Sequence, residues 1–147
     1  MKRQKLHDEH MYLLTQLVEK WKSETGLSIP YFDPDDGGVN ARMLFLFEKP
    51  GPSIFADTDF GFVSQDNDDP TARAVKDFLH QADIPRSEIV IWNAIAAWNG
   101  TRRVGRHERA FAPGHLRELL VVLRHVNTIV QVGREAGKVL RGIRDVS

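Results

Sequence analysis

Two polar side chains in this sequence follow apolar segments and could do chemistry together. Glu48 comes directly after the apolar run Met43–Phe47, and Asn93 follows the run Ile89–Trp92. A carboxylate can act as a general base or activate a water molecule. A side-chain amide carries a donor and an acceptor, so it can hydrogen-bond the edge of a nucleobase. Each residue also has a simpler interpretation, because a Glu can be a solvated strand end and an Asn can bond local backbone.

A Pro-Gly-Pro turn after Glu48 favours the functional interpretation of that carboxylate. The sequence Pro50-Gly51-Pro52 restricts the backbone, and its glycine lets a ligand approach closely. Lys49 lies between the carboxylate and the turn. Its amine could contact DNA, or act as a nucleophile if burial lowered its pKa. We therefore expect a ligand site bordered by Pro50 and Gly51.

A long segment, residues 50–69, carries isolated aromatic residues but no convincing helix pattern. A loop of this length in a small domain is uncommon unless it is functional or disordered. Phe60 or Phe62 could offer a ring on which a base stacks, an interaction worth about 1–3 kcal/mol per base. Either ring could instead pack in the core.

A second long segment, residues 99–114, is strongly basic and is expected to be a loop. It contains Arg102, Arg103 and Arg106. The formal net charge of the chain is zero, so a nucleic-acid site has to come from a local patch of this kind. The same arginines could belong to a solvated loop that has no partner.

The composition excludes several kinds of site. The chain has no cysteine, which excludes disulfides, thiolate zinc sites, a Cys nucleophile and Cys-ligated iron–sulfur clusters. No phosphate-binding glycine motif follows an apolar run. No apolar run approaches the roughly 20 residues that span a bilayer, and the N-terminus lacks the apolar region of a secretory signal. We expect no metal, no cofactor and no membrane partner, and a cytoplasmic location, with which the lack of cysteine is compatible.

Helix and strand signals alternate along the chain. Gly26 is a plausible end for the first helix, and Asp69-Pro70 is typical of an N-cap followed by a first-turn proline. Pro113 is expected to open the third helix, and Gly133 to end the last strand. The predicted helices cover residues 5–24 and 70–82 and the stretches after Pro113 and Gly133, and the predicted strands cover residues 42–48, 89–92 and 127–133.

This alternation predicts an α/β fold. Strands separated by helices imply three layers, α/β/α, in which helices cover both faces of a short, mostly parallel central sheet. A length of 147 residues suits one domain, residues 1–147. Three strands are few for such a sheet, so the last strand is expected to be missing. An exposed sheet edge in its place predicts association into a homo-oligomer.

Three short motifs, in order on alternating strands, resemble those of the uracil-DNA glycosylase superfamily. Phe47–Pro52 is similar to the first motif of that superfamily. Gly61–Val63 resembles the segment with the aromatic residue that stacks on the flipped base, and Ile91–Ile95 resembles the strand end whose Asn reads the base. The resemblance covers roughly residues 43 to 143. It implies a uracil-DNA glycosylase-like fold that excises uracil or a related damaged base from DNA by hydrolysis of the N-glycosidic bond.

The resemblance also implies roles for individual residues. Glu48 would position or activate the water that attacks the sugar C1′, Phe62 would stack on the base, and Asn93 would hydrogen-bond it. Taking a base out of the duplex costs a few kcal/mol, and less at a mismatch or in a single strand. Three arginines would contact the DNA backbone, an assignment made from charge rather than from a motif: Arg102, Arg103 and Arg106.

The sequence departs from the superfamily pattern at several points. Phe47 stands where the motif has glycine, and Lys49 where it has a small residue. The superfamily's last motif, a His-Pro-Ser/Ala turn after a fourth strand, is missing; its His supports the leaving uracil anion. Loss of such a donor costs about 10²–10³ in rate. Either the chain stops before that strand, or it retains the base pocket as a non-catalytic nucleic-acid or nucleotide-binding α/β module.

Overall fold

The structure is a computed structural model that describes residues 1–51, 54, 61–101 and 103–144. Three residues of the predicted site segments, Pro52, Phe60 and Arg102, lie outside the described residues. The described residues include the short 3-10 helices Lys2–Lys5, Gly38–Asn40 and Arg86–Glu88. The longer elements are the helices α1 (Tyr12–Thr25), α2 (Pro70–Gln81), α3 (Arg106–Val122) and α4 (Arg134–Arg144), and the strands β1 (Tyr31–Phe32), β2 (Met43–Phe47), β3 (Phe62–Val63), β4 (Ile89–Asn93) and β5 (Thr128–Gln131).

Three strands form the main sheet, and all of its pairs are parallel. β2 lies in the centre between β4 and β5. Its residue Phe47 is in register with Asn93 of β4, and Leu46 is in register with Gln131 of β5. A separate parallel ladder joins β1 to β3. The prediction of a mixed α/β fold with a short, mostly parallel sheet is confirmed.

The helices lie on both faces of this sheet. The chain runs from β2 through α2 to β4, and then through α3 to β5 on the other side of β2. Because parallel crossovers are right-handed, these opposite steps place α2 and α3 on opposite faces. Phe45 accordingly meets Phe78 of α2, with ring centroids 6.0 Å apart. On the other face, Trp92 lies 6.0 Å from Trp21 of α1, which stacks on His115 of α3.

The two outer strands of the sheet are buried to different degrees. All five residues of β4 are buried, whereas Ile129 and Val130 of β5 are half-buried and the ends of β5 are exposed. Among the described residues β5 pairs only with β2. Its outer edge therefore carries unpaired backbone groups, which is the kind of edge that favours association.

The predicted C-terminus of α1 and the predicted N-cap of α2 are confirmed, but the predicted start of α1 is wrong. Gly26 ends α1 in the left-handed conformation with φ of +67°, and the carboxylate of Asp69 accepts a hydrogen bond from the first turn of α2. α1 begins at Tyr12 instead of near residue 5. The segment Lys2–Lys5 forms its own 3-10 helix because its lysines pair with acidic residues of a later segment.

The predicted start of α3 is also wrong. Pro113 lies inside α3, which begins at Arg106, so the second half of the basic segment is helical. The first turn is fixed by Glu108, whose carboxylate accepts a hydrogen bond from the Gly105 N–H at 2.7 Å. An interior proline removes one backbone hydrogen bond. The capped first turn and the buried face of α3, which includes Leu116, offset that loss.

Candidate functional site

A cavity of about 450 Å³ lies at the carboxyl ends of the main sheet. Its floor includes Phe47, Asn93 and Gly133, and its walls include the loop of residues 64–69 and the start of α2. The chain changes its winding direction around β2, and open α/β sheets bind ligands at such positions. The volume falls within the 300–1,000 Å³ common for small-molecule sites. Five predicted site residues are in the lining: Glu48, Lys49, Pro50, Gly51 and Asn93.

The Glu48 carboxylate is held at the N-terminus of α4. Its Oε2 accepts a hydrogen bond from the Glu135 N–H at 2.8 Å. Helix N-termini stabilise anions, because their first N–H groups are unpaired and the helix dipole is positive there. Among the described residues no hydrogen bond reaches Oε1, so that oxygen is available to a water molecule in the cavity.

Gly133 makes room for this carboxylate. Its φ is +96°, and a Cβ built on it would lie 2.3 Å from Cδ of Glu48. A side chain at this position would therefore displace Glu48. The sequence marked Gly133 only as a strand end, and nothing in the pattern linked it to a carboxylate so far back in the chain.

Asn93 is the neighbour of Glu48 on the adjacent strand. It ends β4 in register with Phe47, and the backbone N–H groups of Ala94 and Ile95 donate to the carbonyls of Phe47 and Glu48 at 2.7 and 2.8 Å. Asn93 is buried and lines the cavity. Within the described ranges its side-chain amide has no hydrogen-bond partner, so a ligand can use both its donor and its acceptor.

Phe62 lies apart from this group. Its ring centroid is 6.3 Å from that of Tyr31, across the β1–β3 ladder. Successive strand residues point to opposite faces, and the next residue, Val63, is in the cavity lining, whereas Phe62 is not among the described lining residues. A stacking role for Phe62 stays a prediction that would require its ring to move.

Lys49 is enclosed by protein rather than directed at solvent. Its side chain is 5% exposed, and its Nζ lies 2.6 Å from Oε2 of Glu108. The amine also donates to Oδ1 of Asn99 and to the Arg103 carbonyl, each at 2.8 Å. We call Lys49, Asn99, Glu108 and the Arg103 carbonyl the Lys49 network. This placement argues against both a DNA contact and a nucleophilic role for the amine, because the amine is enclosed, donates two hydrogen bonds to protein acceptors and lies against the Glu108 carboxylate.

Two residues predicted to contact the DNA backbone, Arg103 and Arg106, are exposed. Arg103 is joined to the turn that follows β2 through its carbonyl, which accepts from Lys49. Arg106 is the first residue of α3. A third basic residue of the segment, Arg109, is paired with Glu135 at 3.1 Å. Both residues are therefore open to a polyanion, and the segment of Arg103 adjoins the turn that borders the cavity.

The loop of residues 64–69 supplies polar lining that the sequence analysis missed. Gln65 is buried, and its Nε2 donates to Oδ1 of Asp36 at 3.3 Å. Ser64 donates its hydroxyl to Asp33. The sequence marked only Asp69 of this loop, as an N-cap, since no local pattern joins the loop to carboxylates about 30 residues earlier.

A network of charged side chains connects the loop of residues 64–69 to the residues that follow β1. We call it the Asp33 network and define it as Lys2, Asp33, Asp35, Asp36, Asp66 and Arg86. The Asp33 carboxylate is fully enclosed and accepts from Lys2 and Arg86, each at 2.8 Å. Burial, together with the negative charge of Asp33, raises the pKa of Asp36 to about 7. The network therefore fixes the loop that lines the cavity and contains one carboxyl that titrates near neutral pH.

The described residues offer no metal site and no membrane span. No group of three His, Cys, Asp or Glu side chains within them could hold a metal ion. None of the described helices is long and apolar enough to cross a bilayer. The polar side chains that line the cavity include Glu48 and Asn93 as well as those of the loop of residues 64–69.

No protein-family model matches the chain, and no curated protein sequence matches it. The resemblance to the uracil-DNA glycosylases therefore rests on the motifs themselves. The structure adds that two of these motifs, those of Glu48 and Asn93, meet at one cavity.

Proposed function

We propose that this protein is a uracil-DNA glycosylase-like enzyme that removes uracil or a related damaged base from DNA. The observation that carries the proposal is the meeting of Glu48 and Asn93 on neighbouring strand ends, both lining one cavity at the winding reversal of the sheet. Base excision by hydrolysis uses a group that activates water and groups that recognise the flipped base, and Glu48 and Asn93 have the chemistry for these two roles.

In the proposed reaction the target base leaves the stack and enters the cavity. Asn93 hydrogen-bonds the edge of the base, and Glu48 orients a water molecule through its free Oε1. The water oxygen forms a bond to the sugar C1′, the bond between C1′ and the base nitrogen breaks, and the base leaves with the bonding electrons. The water gives up its proton to Glu48. Arg103 and Arg106 hold the DNA backbone, so binding weakens as salt concentration rises.

The direct test is release of uracil from single-stranded and double-stranded DNA that contains it. We expect Glu48→Gln to lower the rate about 10²–10⁴-fold, which is the usual contribution of a general base. We expect Asn93→Ala to raise KM and lower kcat, because the base loses its positioning contact. Glu9→Gln and Asn40→Ala, at exposed positions far from the cavity lining, are the matched controls and should act like the wild type. No uracil release by the wild-type chain would overturn the proposal.

A second candidate is a module that binds nucleic acid or nucleotides without excising a base. The position of Phe62 against Tyr31 favours it, and so does the lack of a histidine among the described lining residues. Salt-dependent DNA binding without any base release would support this candidate.

We also propose a cytoplasmic location, where DNA is accessible, and self-association through the outer edge of β5. That edge is unpaired among the described residues, and exposed edges pair readily with other strands. Sedimentation velocity over a range of concentrations tests the association. A monomer at every concentration would contradict it.

A further inference from the structure

A buried ammonium joins three segments that surround the candidate site. Lys49 belongs to the turn that follows β2, Asn99 to the loop that follows β4, and Glu108 to the first turns of α3. The Lys49 amine meets the side chains of both partners and the Arg103 carbonyl, at 2.6 to 2.8 Å. Two of these contacts are hydrogen bonds, to Asn99 and to the Arg103 carbonyl. The third is an ion pair, since Oε2 of Glu108 accepts no hydrogen bond among the described residues.

The partners of this ammonium are themselves fixed. Glu108 is 2% exposed, and its Oε1 accepts from the Gly105 N–H at 2.7 Å and from the Asn99 amide at 3.3 Å. The Trp98 ring lies 5.9 Å from the Lys49 amine. The ion pair is therefore part of a rigid connection between the start of α3 and the turn, rather than an isolated contact.

Consecutive residues tie the turn to different helices. The Glu48 side chain reaches the N-terminus of α4 through the Glu135 N–H, whereas the Lys49 side chain reaches α3 through Glu108. A turn held at one end can rotate about that contact, but a turn held at two points has one orientation. The direction of the Glu48 carboxylate thus depends on the anchor at Lys49.

The buried ion pair of Lys49 and Glu108 is better explained by its effect on the arrangement of the chain than by a gain in stability. Removing two charges from water is costly, and apolar pairs of similar size are often as stable as buried ion pairs. Where such a pair persists, a role in fixing one arrangement of the chain is a testable explanation. Here the fixed arrangement includes both the carboxylate and the segment that carries Arg103.

We propose that Lys49 is a positioning residue, which holds the turn of residues 48–51 so that the Glu48 carboxylate stays at the N-terminus of α4 and faces the cavity. The same ammonium holds the Arg103 segment, so the water-orienting group and a DNA-contacting group keep a fixed separation. The catalytic part of this inference rests on the proposed base excision, whereas the structural part does not.

The test uses Lys49→Met/Glu108→Gln, which removes both charges and keeps an acceptor for the Gly105 N–H. Its first measurement is hydrogen exchange at the Glu135 amide, which reports the contact with Glu48 without any need for activity. We expect this amide to exchange at least about tenfold faster, while amides in the middle of α4, such as that of Leu140, stay protected. A general loss of stability would change both kinds of amide together.

The second measurement is uracil release by the same variant. We expect kcat to fall by about 10²-fold, since small misplacements of a reacting group have effects of this size, and KM for DNA to change much less. Lys20→Met/Glu118→Gln is the matched control. It removes a Lys–Glu pair that also ends on α3 but lies on the side of α1, and it should leave the Glu135 amide and kcat unchanged.

The outcomes separate this inference from the proposed function. Normal exchange at the Glu135 amide in the double variant would overturn the positioning role, whatever the activity. Faster exchange with no uracil release by the wild type would leave the positioning role supported and the proposed reaction rejected. If the double variant does not fold, Asn99→Ala removes one acceptor of the ammonium. It should raise exchange at the Glu135 amide several-fold, and wild-type exchange in that variant would count against the inference.

Discussion

The Lys49 network and the Asp33 network both contain buried charge, but they balance it in different ways. In the Lys49 network one ammonium faces one carboxylate, and both side chains are at most 5% exposed. In the Asp33 network, Asp33 and Asp36 share Arg86, whose side chain is 33% exposed. In the part of the chain that the structure describes, Oδ2 of Asp36 and Oε2 of Glu108 both lack a hydrogen-bond partner. Oε2 of Glu108 lies 2.6 Å from the Lys49 ammonium, whereas Arg86 meets the other oxygen of Asp36, Oδ1. The enclosed pair of Lys49 and Glu108 fixes the local geometry of the chain. Where Asp33 and Asp36 share one guanidinium, one of the two carboxyl groups can still take up a proton near neutral pH.

The largest loss of stability is expected from a substitution that breaks the enclosed pair of Lys49 and Glu108. Lys49→Met leaves the Glu108 carboxylate buried without a cation, which costs about 3–5 kcal/mol of unfolding free energy. Urea denaturation measures it. Lys49→Met/Glu108→Gln should recover most of that loss, since no unpaired charge remains. If the double variant were less stable than the single one, the two residues would not act as a pair.

A smaller loss is expected from the shared network. Asp33→Ala removes the acceptor common to Lys2, Arg86 and Ser64. Lys2 and Arg86 reach water, so the loss should be about 2 kcal/mol in the same denaturation experiment. Asp77→Ala, at an exposed position of α2, is the control and should change stability by less than about 0.5 kcal/mol. If Asp33→Ala lowered the free energy of unfolding more than Lys49→Met does, the Asp33 network would contribute more to stability than the Lys49 network.

The smallest expected change in stability comes from Asp36 and depends on pH. Because burial and Asp33 raise the pKa of Asp36 to about 7, the folded protein holds this proton more tightly than the unfolded chain does. The stability from that proton is complete below pH 4 and is lost as pH rises toward 7 and beyond. Asp36→Asn should remove this decline and make the protein about 1–2 kcal/mol more stable than the wild type at pH 8. Thermal melts of both proteins at pH 5 and pH 8 measure the difference, and equal slopes would show that Asp36 does not titrate in this range.

The opposite dependence is expected below pH 4. Hydrogen bonds from Lys2 and Lys5 lower the pKa of Asp35 to about 2. The stability from Asp35 is therefore present above its ordinary pKa of 3.8 and is lost as pH falls through 2. With Asp36, this places the greatest stability of the Asp33 network between about pH 4 and 6.

The parts of the fold that depend on local sequence were predictable. A continuous apolar run that ends in Glu48 indicates a strand buried on both faces, and β2 matches it. Asp69 followed by a proline gives the start of α2 correctly, because an N-cap acts over only three residues. The placement of Glu48 and Asn93 at one edge follows from the parallel sheet alone.

The parts that depend on distant partners were not predictable. Pro113 is a strong local signal for a helix start, but the capping carboxylate of Glu108 sets the start of α3 earlier. Lys49 looks like a surface residue in sequence, since its partner Glu108 is 59 residues away. The turned-away position of Phe62 depends on the ladder between β1 and β3, two strands too short to carry a pattern of their own.

The central position of β2 also has a consequence for the order in which this protein folds. β2 pairs with no earlier strand; its partners are β4 and β5, both made later on the ribosome. Contacts between distant segments form slowly, because a long loop has to close first. The nascent chain therefore exposes an apolar strand until β4 emerges, and Glu48 meets the Glu135 N–H only after β5 has been made. The contact that holds Glu48 therefore forms late, and until then the exposed strand β2 leaves the chain open to misfolding.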